Sequence, residues 1–175
     1  MYFNELKKSM NYLGKKNKSI FIGQAVVEPG TFMSNTLNQV PKNKKIEMPV
    51  AEEMQLGISL GLAMDGNVPI SIIPRLNFIL NGMNQLVNHI DKYFLMGNNR
   101  LNNIIIRTGV GADKPLNPQH QHIGDFSNSI QKMCKNINLV KLKKSNQVFP
   151  SYKKAFTRKD KKVTILVEYG NLYNR

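Results

Sequence analysis

The sequence predicts an α/β fold, a three-layer sandwich in which helices cover both faces of a mostly parallel central sheet. Two observations lead to this prediction. Short runs that are apolar at nearly every position alternate along the chain with segments whose apolar residues recur at threes and fours. Strands that are apolar on both faces are typical of parallel sheets buried between helices. The 175 residues have the length of one domain, which we expect to span residues 1–175.

The first forty residues predict a helix, a strand and a second helix. Residues 2–16 carry apolar side chains at helical spacing with lysines between them, which indicates an amphipathic helix. Residues 19–23 form a short apolar run, as expected for a buried strand. A second helix is predicted over residues 31–40, where Pro41 would end it.

Residues 51–64 are apolar almost all round and therefore predict a buried helix. Gly57 and Gly61 lie four residues apart on one face of this helix. Each glycine costs a helix about 1 kcal/mol relative to alanine. Because this cost suggests a use, we expect the two glycines to let a second helix cross closely.

The second half of the chain continues the alternation of strands and helices. A strand is predicted over residues 68–73, followed by a long helix over residues 77–96 that Asn77 would cap. Residues 103–107 predict another buried strand, and a loop rich in glycine and proline follows it over residues 108–122. The remaining predicted elements are a short helix over residues 125–133, a strand over 138–140, a helix near 151–157 and a strand over 163–167.

Composition narrows the class of protein. Cys134 is the only cysteine, which excludes an internal disulfide and a zinc site built from cysteines. No apolar stretch reaches the roughly 18 residues that a membrane span needs, and residues 1–16 do not resemble a signal peptide. We therefore expect a cytoplasmic protein that binds no membrane.

The chain is strongly basic, with 25 lysines and arginines against 11 aspartates and glutamates and a net charge of +14. This balance alone favours a polyanionic partner. However, the basic residues lie in scattered clusters, none of which is interleaved with the aromatic side chains that stack on bases. We therefore interpret the charge as a solvated surface and expect no nucleic-acid partner. A nucleic-acid-binding module is kept as a less favoured alternative.

Several short motifs, taken together in the order in which they occur, resemble those of a known family. Residues 49–52 read Pro-Val-Ala-Glu, and residues 57–66 read Gly-Ile-Ser-Leu-Gly-Leu-Ala-Met-Asp-Gly. Further motifs follow in register: Asn77-Phe78, Gln85, Asn88, Arg107, Gly111 and Gln119-His120. As an ordered set they resemble the pyrimidine-binding domain of thiamine diphosphate-dependent enzymes. The chain is most similar to the beta subunit of the first component of 2-oxoacid dehydrogenases, with transketolase as a more distant relative.

The resemblance implies a catalytic and cofactor-binding role for Glu52. In the family, a glutamate at this place hydrogen-bonds a ring nitrogen of the aminopyrimidine and so favours removal of the proton from the thiazolium carbon. The chemistry needs a carboxyl group that is held in an apolar site and can share a proton with a weakly basic nitrogen. The alternative is a first-turn glutamate that only favours the helix dipole. The adjacent Glu53 lies one helical step of roughly 100° away and points elsewhere.

Two residues near the next helix match the family less completely. Phe78 occupies the place of the aromatic residue that stacks on the pyrimidine ring, and the equal alternative is an ordinary core phenylalanine. Pro74 and Arg75 replace residues that line the pocket in the dehydrogenases. Arg75 is therefore a candidate for binding a substrate carboxylate or phosphate with both guanidinium nitrogens, or else a surface arginine.

The loop histidines are the remaining candidates. His120 occupies the place of a histidine that faces the active site in the dehydrogenases, where a side chain that titrates near neutral pH handles the substrate's carboxylate or protons. His122 stays open between a substrate contact and a polar loop residue. Together with Asp125 these histidines suggest metal ligands, but the only other histidine, His89, falls within a helix pattern. We expect this chain to bind no metal.

The resemblance also implies a partner. In the family, a Gly-Asp-Gly motif followed by Asn-Asn binds the diphosphate through Mg²⁺ on a different domain, and the sequence contains no such motif. We expect neither a diphosphate-binding domain nor the C-terminal domain of the beta subunits in this chain. A diphosphate-binding subunit of the alpha type should carry the motif, hold the Mg²⁺ and complete a heterotetramer.

The resemblance therefore predicts the pyrimidine-domain subunit of a split thiamine diphosphate-dependent enzyme that acts on a 2-oxoacid or a ketose. Decarboxylation, dehydrogenation and two-carbon transfer all remain open. The alternative from another class is a non-catalytic subunit that retains the fold for assembly or regulation. The presence of Glu52 argues against that alternative.

Overall fold

The computed structural model describes residues 1–28, 30–97, 101–111, 117–160 and 163–173. The strands within these ranges are β1 (Ser19–Gly23), β2 (Lys45–Glu47), β3 (Val68–Ile73), β4 (Ile104–Val110), β5 (Asn138–Leu142) and β6 (Val163–Tyr169). The α-helices are α1 (Tyr2–Gly14), α2 (Glu52–Met64), α3 (Ser127–Met133) and α4 (Ser145–Thr157). Residues 112–116 of the predicted loop lie outside the described residues.

The strands form one sheet in the order β2-β1-β3-β4-β6-β5, and each neighbouring pair is parallel. Two apolar clusters cover the faces of the sheet. One cluster packs α1 and α4 against it through side chains such as Leu6 and Val148. The other packs α2 and α3 against the opposite face through side chains such as Leu56 and Ile130. These layers confirm the predicted α/β sandwich with a parallel central sheet.

Two helices differ from their predicted extents. Residues 31–40 form only a 3₁₀ turn at Ser34–Thr36, so the predicted helix there is wrong. The Ser34 hydroxyl donates to the Thr31 carbonyl at 2.6 Å, and the Ser34 amide donates to Thr31 Oγ1 at 3.1 Å. Such local bonds compete with the backbone bonds of a helix. Helix α4 begins earlier than predicted and continues through Pro150. Within the described ranges, no helix is long and apolar enough to cross a bilayer.

The segment predicted as a long helix over residues 77–96 is helical but irregular. It consists of a 3₁₀ helix (Leu76–Gly82), a π-helix (Gln85–Ile90) and a second 3₁₀ helix (Tyr93–Met96). Asn77 lies inside the first of these helices rather than at its cap. A 3₁₀ or π turn has a different number of residues per turn from an α-helix, so the side chains that follow it point in other directions. A periodicity of 3.6 residues does not predict this change.

The close helix crossing occurs at Gly82 and not at the glycines of α2. A Cβ atom on Gly82 would lie 2.7 Å from Leu56 Cδ1 and 3.2 Å from the carbonyl oxygen of Glu52. A Cβ atom on Gly57 would lie 3.8 Å from the side chain of Gln85, and one on Gly61 would meet no atom of the described structure within 4 Å beyond its own stretch of helix. The predicted role of Gly61 in a crossing within this chain is therefore wrong. Gly82 brings its segment against the first turn of α2.

Helix α2 is not buried all round, contrary to the prediction. Its sheet-facing side buries Leu56 together with the polar Gln55, whose Nε2 donates to Ser71 Oγ at 2.8 Å. The opposite side, which we call the α2 outer face, consists of Met54, Ile58 and Met64, with exposed fractions of 48%, 38% and 50%. The apolar residues of the sequence did not indicate which side of α2 packs on the sheet, because the sheet-facing side also contains a polar side chain that is buried and hydrogen-bonded.

Candidate functional site

A pocket of about 400 Å³ opens at the carboxyl edge of the sheet. The chain leaves β1 toward β2 and leaves β3 toward β4, so the connections from these two neighbouring strands diverge. In open α/β sheets, ligands bind in the crevice that such a divergence creates. Gln24 and Ala25, just after β1, and Pro74 and Arg75, just after β3, line this pocket. The topology therefore places the pocket where a ligand site is expected.

The walls of the pocket are largely apolar. The remaining lining residues are Gly30, Thr31, Phe32, Met33, Phe78, Gly109, Val110, Gly111, Gly170 and Tyr173. Gly109 forms a tight part of the wall, since a Cβ atom there would lie 3.0 Å from Met33 Cε and 3.2 Å from the Pro74 carbonyl oxygen. Gly111 has φ of +74°, a conformation that glycine adopts without steric cost.

The loop after β1 is held by a carboxylate from the neighbouring strand. Glu47, at the end of β2, accepts hydrogen bonds from the amides of Ala25 (2.5 Å), Val26 (2.9 Å) and Val27 (2.7 Å). Ala25 has φ of +54°, and successive amides that converge in this way form an anion-binding nest. No sequence pattern predicts this contact, because the register of β1 and β2 creates it. Glu47 therefore fixes one wall of the pocket.

Glu52 lies in a second, open cleft at the start of α2. Only 6% of Glu52 is exposed, and its Oε2 accepts a hydrogen bond from Asn81 Nδ2 at 3.2 Å. Gln85 and Val50 line the same cleft. Glu53 is exposed, and its Oε1 accepts from Asn84 Nδ2 at 3.0 Å. Both glutamates line the cleft, but they differ in burial and in hydrogen-bond partner, as the helical step predicts.

One short helix separates the cleft from the pocket. Phe78 lines the pocket, whereas Asn81, on the same 3₁₀ helix, binds Glu52 in the cleft. The structure therefore places Glu52 and Phe78 on neighbouring cavities. Asn81 is a residue that the sequence analysis missed, and only its position one turn after Phe78 could have suggested it.

The structure brings His122, rather than His120, to the pocket residues. The rings of His122 and Phe78 have centroids 4.8 Å apart at an angle of 51°, and Arg75 Nη1 donates to the His122 carbonyl at 3.5 Å. His120 is exposed, and its side chain makes no hydrogen bond or ring contact within the described ranges. The contact of Arg75 ties the loop to the end of β3. Arg75, Phe78 and His122 therefore form one group at the mouth of the pocket.

A fully buried ion pair lies beneath the pocket. Arg107 Nε and Nη2 donate to the two carboxylate oxygens of Glu168 at 2.7 and 3.0 Å. The hydroxyls of Tyr152 and Tyr173 also donate to Glu168. Burial alone would lower the pKa of Arg107, but the Glu168 charge holds it above its usual value. Burial and the same charge raise the pKa of both tyrosines well above that of a free phenol, so they remain protonated donors.

Comparison with known families decides the family of this chain. The family model for the transketolase pyrimidine-binding domain matches residues 2–175. The chain belongs to this family. A comparison with curated protein sequences finds no match. Among the described residues of this pyrimidine-binding domain, no three histidine, cysteine, aspartate or glutamate side chains cluster in a way that could hold a metal ion.

Two solved structures share the fold of this pyrimidine-binding domain. One is described as a split gene transketolase, an inactive beta4 tetramer, with a TM-score of 0.59 and 19% sequence identity over 94% of this chain and 50% of that chain. The other, from Mycobacterium smegmatis, carries a provisional description as a thiamin diphosphate-dependent enzyme. Its TM-score is 0.62, with 11% identity over 97% of this chain and 32% of that chain. The chain thus spans half the length of the first structure and about a third of the second.

The family implies thiamine diphosphate, and the cleft at Glu52 fits part of that group. Within the described residues, Asn81 is the only hydrogen-bond partner of the Glu52 carboxylate, so Oε1 has no donor. Oε1 is not among the buried side-chain atoms that lack a partner in the described structure, Asn103 Oδ1 and Thr108 Oγ1, so it is reached by water in the cleft. The cleft is open to solvent beside it, which leaves room for a ring nitrogen. The residues present therefore fit an aminopyrimidine.

Proposed function

We propose that this chain is the pyrimidine-binding subunit of a split thiamine diphosphate-dependent enzyme. The observation that carries the proposal is the state of Glu52, a largely buried side chain whose Oε2 is bonded to Asn81 and whose Oε1 has no donor among the described residues and is open to water in the cleft. The exposed apolar side chains of the α2 outer face, Met54 and Ile58 among them, line or adjoin the same cleft. A partner that covers this face would also close the cleft.

The residues of the chain have distinct roles in this proposal. Glu52 would bind the aminopyrimidine and share a proton with its ring nitrogen, while Asn81 fixes the rotamer of Glu52 through Oε2. Phe78 would contact the ring or the substrate from the pocket side. When bound, thiamine diphosphate supplies the carbon nucleophile that attacks a substrate carbonyl. A partner subunit of the alpha type would carry the Gly-Asp-Gly and Asn-Asn motif, hold the diphosphate through Mg²⁺ and complete a heterotetramer.

The lining of the pocket favours a 2-oxoacid over a ketose as the substrate. A sugar needs several polar side chains to replace its bonds to water, because unpaired hydroxyl groups are costly to bury. Among the described lining residues, the polar side chains not already bound to Glu168 are Gln24, Thr31 and Arg75. The apolar walls suit the side chain of a 2-oxoacid, and Arg75 suits its carboxylate. Decarboxylation and dehydrogenation would both use this arrangement.

A non-catalytic subunit is the second candidate function. One of the two solved relatives is described as an inactive tetramer of beta chains. By analogy, this chain would assemble with itself and bind no cofactor. The position of Glu52 in the cleft favours the catalytic proposal.

The assembly prediction tests the proposal directly. By calorimetry, the chain alone should bind little thiamine diphosphate even with Mg²⁺, because it contains no diphosphate motif, and binding should appear after its partner subunit is added. Ile58→Lys, on the α2 outer face, should abolish the partner-dependent binding. Met133→Lys, at a similarly exposed position on α3, is the matched control and should preserve it. Tight Mg²⁺-dependent binding by the isolated chain would contradict the split-enzyme proposal.

The two loop histidines should differ in kind. The catalytic role of His120 rests on the family resemblance alone, since the described structure brings His122 to the pocket residues; on that resemblance, His120→Ala in the assembled enzyme should lower kcat by about 10²-fold or more, as expected for loss of a general acid or base. His122→Ala should mainly raise KM, because Phe78 loses its ring contact at the mouth of the pocket, while the bond from Arg75 to the His122 backbone carbonyl remains. Steady-state kinetics with a series of 2-oxoacids measures both effects. If only His122→Ala lowered kcat, the catalytic role would pass to His122.

A further inference from the structure

The buried ion pair beneath the pocket connects elements that are distant in the sequence. We call Arg107, Glu168, Thr36 and Tyr173 the Arg–Glu hub. Arg107 Nη1 donates to Thr36 Oγ1 at 2.8 Å and lies 3.5 Å from the Met33 carbonyl oxygen. Glu168 accepts from Arg107 and from the Tyr173 hydroxyl. The hub therefore joins the 33–36 segment to the turn at Gly170–Leu172 across strands β4 and β6.

The two segments that the hub joins are both walls of the pocket. Met33 and its neighbours Thr31 and Phe32 line it on one side, and Gly170 and Tyr173 line it as well. No strand pairing holds either segment, since each contains only a 3₁₀ turn. Their positions therefore depend on side-chain contacts: the ring of Phe32 packs on that of Tyr173 with centroids 5.7 Å apart, and the hub adds hydrogen bonds from one rigid, fully buried pair to both segments.

We infer that Thr36 and Tyr173 are positioning residues through which the buried Arg107–Glu168 pair sets the width of the pocket. Fork-to-fork pairing of a guanidinium with a carboxylate fixes orientation as well as distance. Arg107 aims its remaining nitrogen at one wall, and Glu168 presents an acceptor to the other. The pocket then keeps its shape without a ligand. The inference rests on the proposed function in one respect: it takes this pocket to be the one that the ligand occupies.

Tyr152 provides a matched control for Tyr173. Both tyrosines are buried, and both hydroxyls donate to Glu168. Tyr152 belongs to α4 and is not among the residues that line the pocket. Replacement of either residue by phenylalanine removes one donor from the same carboxylate and leaves the ring in place. Only the Tyr173 variant removes a hydrogen bond between the hub and a wall of the pocket, and the ring contact of this residue with Phe32 remains.

Amide hydrogen exchange of the full chain tests the inference. The amides of Thr36 and Leu37, bonded to the Met33 and Ser34 carbonyls, report on one wall, and the Tyr173 amide, bonded to the Gly170 carbonyl, reports on the other. Tyr173→Phe should accelerate exchange at both walls by about tenfold or more, the factor expected for loss of a hydrogen bond to a charged group. Tyr152→Phe should change both walls by less than about twofold while α4 exchanges faster.

A spectroscopic signature separates positioning from general stability. The methyl resonance of Met33, labelled with ¹³C, should shift in Tyr173→Phe and in Thr36→Val but not in Tyr152→Phe. Thr36→Val acts on the other wall and keeps the test open if Tyr173→Phe fails to fold. Equal acceleration of exchange throughout the chain, or a response of the Gly170–Leu172 turn without the 33–36 segment, would overturn the inference. Neither measurement depends on thiamine diphosphate, so a failure here is distinguishable from a failure of the proposed function.

Discussion

Glu52→Gln should slow exchange of the thiazolium proton in the assembled enzyme by about 10²–10⁴-fold, the usual contribution of a positioned acid or base. A glutamine keeps the size of the side chain and can still bond to Asn81, but it cannot share a proton with the ring nitrogen. Proton exchange followed by NMR in deuterated buffer measures this step without a substrate. The result therefore does not depend on knowing the substrate.

Glu53→Gln is the matched control for this prediction. Glu53 lies in the same first turn of α2 but is exposed and bonded to Asn84, so its replacement should change the exchange rate by less than about twofold. The affinity for thiamine diphosphate should fall only modestly in Glu52→Gln, because the diphosphate contributes separately through the partner. Equal and small effects of the two substitutions would mean that the aminopyrimidine does not bind at Glu52.

Arg107→Met should lower the free energy of unfolding by about 3–5 kcal/mol, because it leaves the Glu168 carboxylate buried without its cation. The side chains of both residues are fully buried. Urea unfolding followed by circular dichroism measures the loss. Arg107→Lys retains a charge but cannot donate to Glu168 and Thr36 together, so it should fall between the wild type and Arg107→Met.

Lys8→Met provides the contrast for an exposed ion pair. Lys8 Nζ lies 3.7 Å from Glu5 Oε1, and 57% of the Lys8 side chain is exposed. Surface pairs of this kind contribute about 0–1 kcal/mol, so Lys8→Met should be nearly neutral. A loss as small for Arg107→Met would show that Tyr152 and Tyr173 alone satisfy the buried carboxylate.

The sequence predicted the strands better than the helices. Residues 68–73 were predicted as a strand with the bounds that β3 has, because a fully buried strand is apolar on both sides. Helix boundaries depended on local side-chain bonds, as at Thr31 and Ser34, or on close packing, as at Gly82. Neither cause produces a periodic pattern. The exposure of the α2 outer face was not predicted, because the spacing of apolar residues does not show whether another element of the chain packs on them.

The candidate site divides in the same way. The contrast between a buried Glu52 and an exposed Glu53 followed from their order on one helix, although the roles of Glu52, Phe78, Arg75 and the loop histidines stay predictions. The pocket residues Gln24 and Tyr173 had no sequence signal of their own. They meet only because parallel strands bring their carboxyl ends to one edge of the sheet. Position after a predicted strand could have suggested Gln24, whereas nothing marked Tyr173.

The strand order also has a consequence for synthesis on the ribosome. Strand β6 lies between β4 and β5, although it follows both in the chain. The nascent protein therefore carries an open β4 edge from the time Val110 is made until β6 emerges, and β5 has no strand to join before then. Open edges pair readily with strands of other chains. Pausing or truncation between β4 and β6 should therefore favour aggregation far more than a similar interruption after β6.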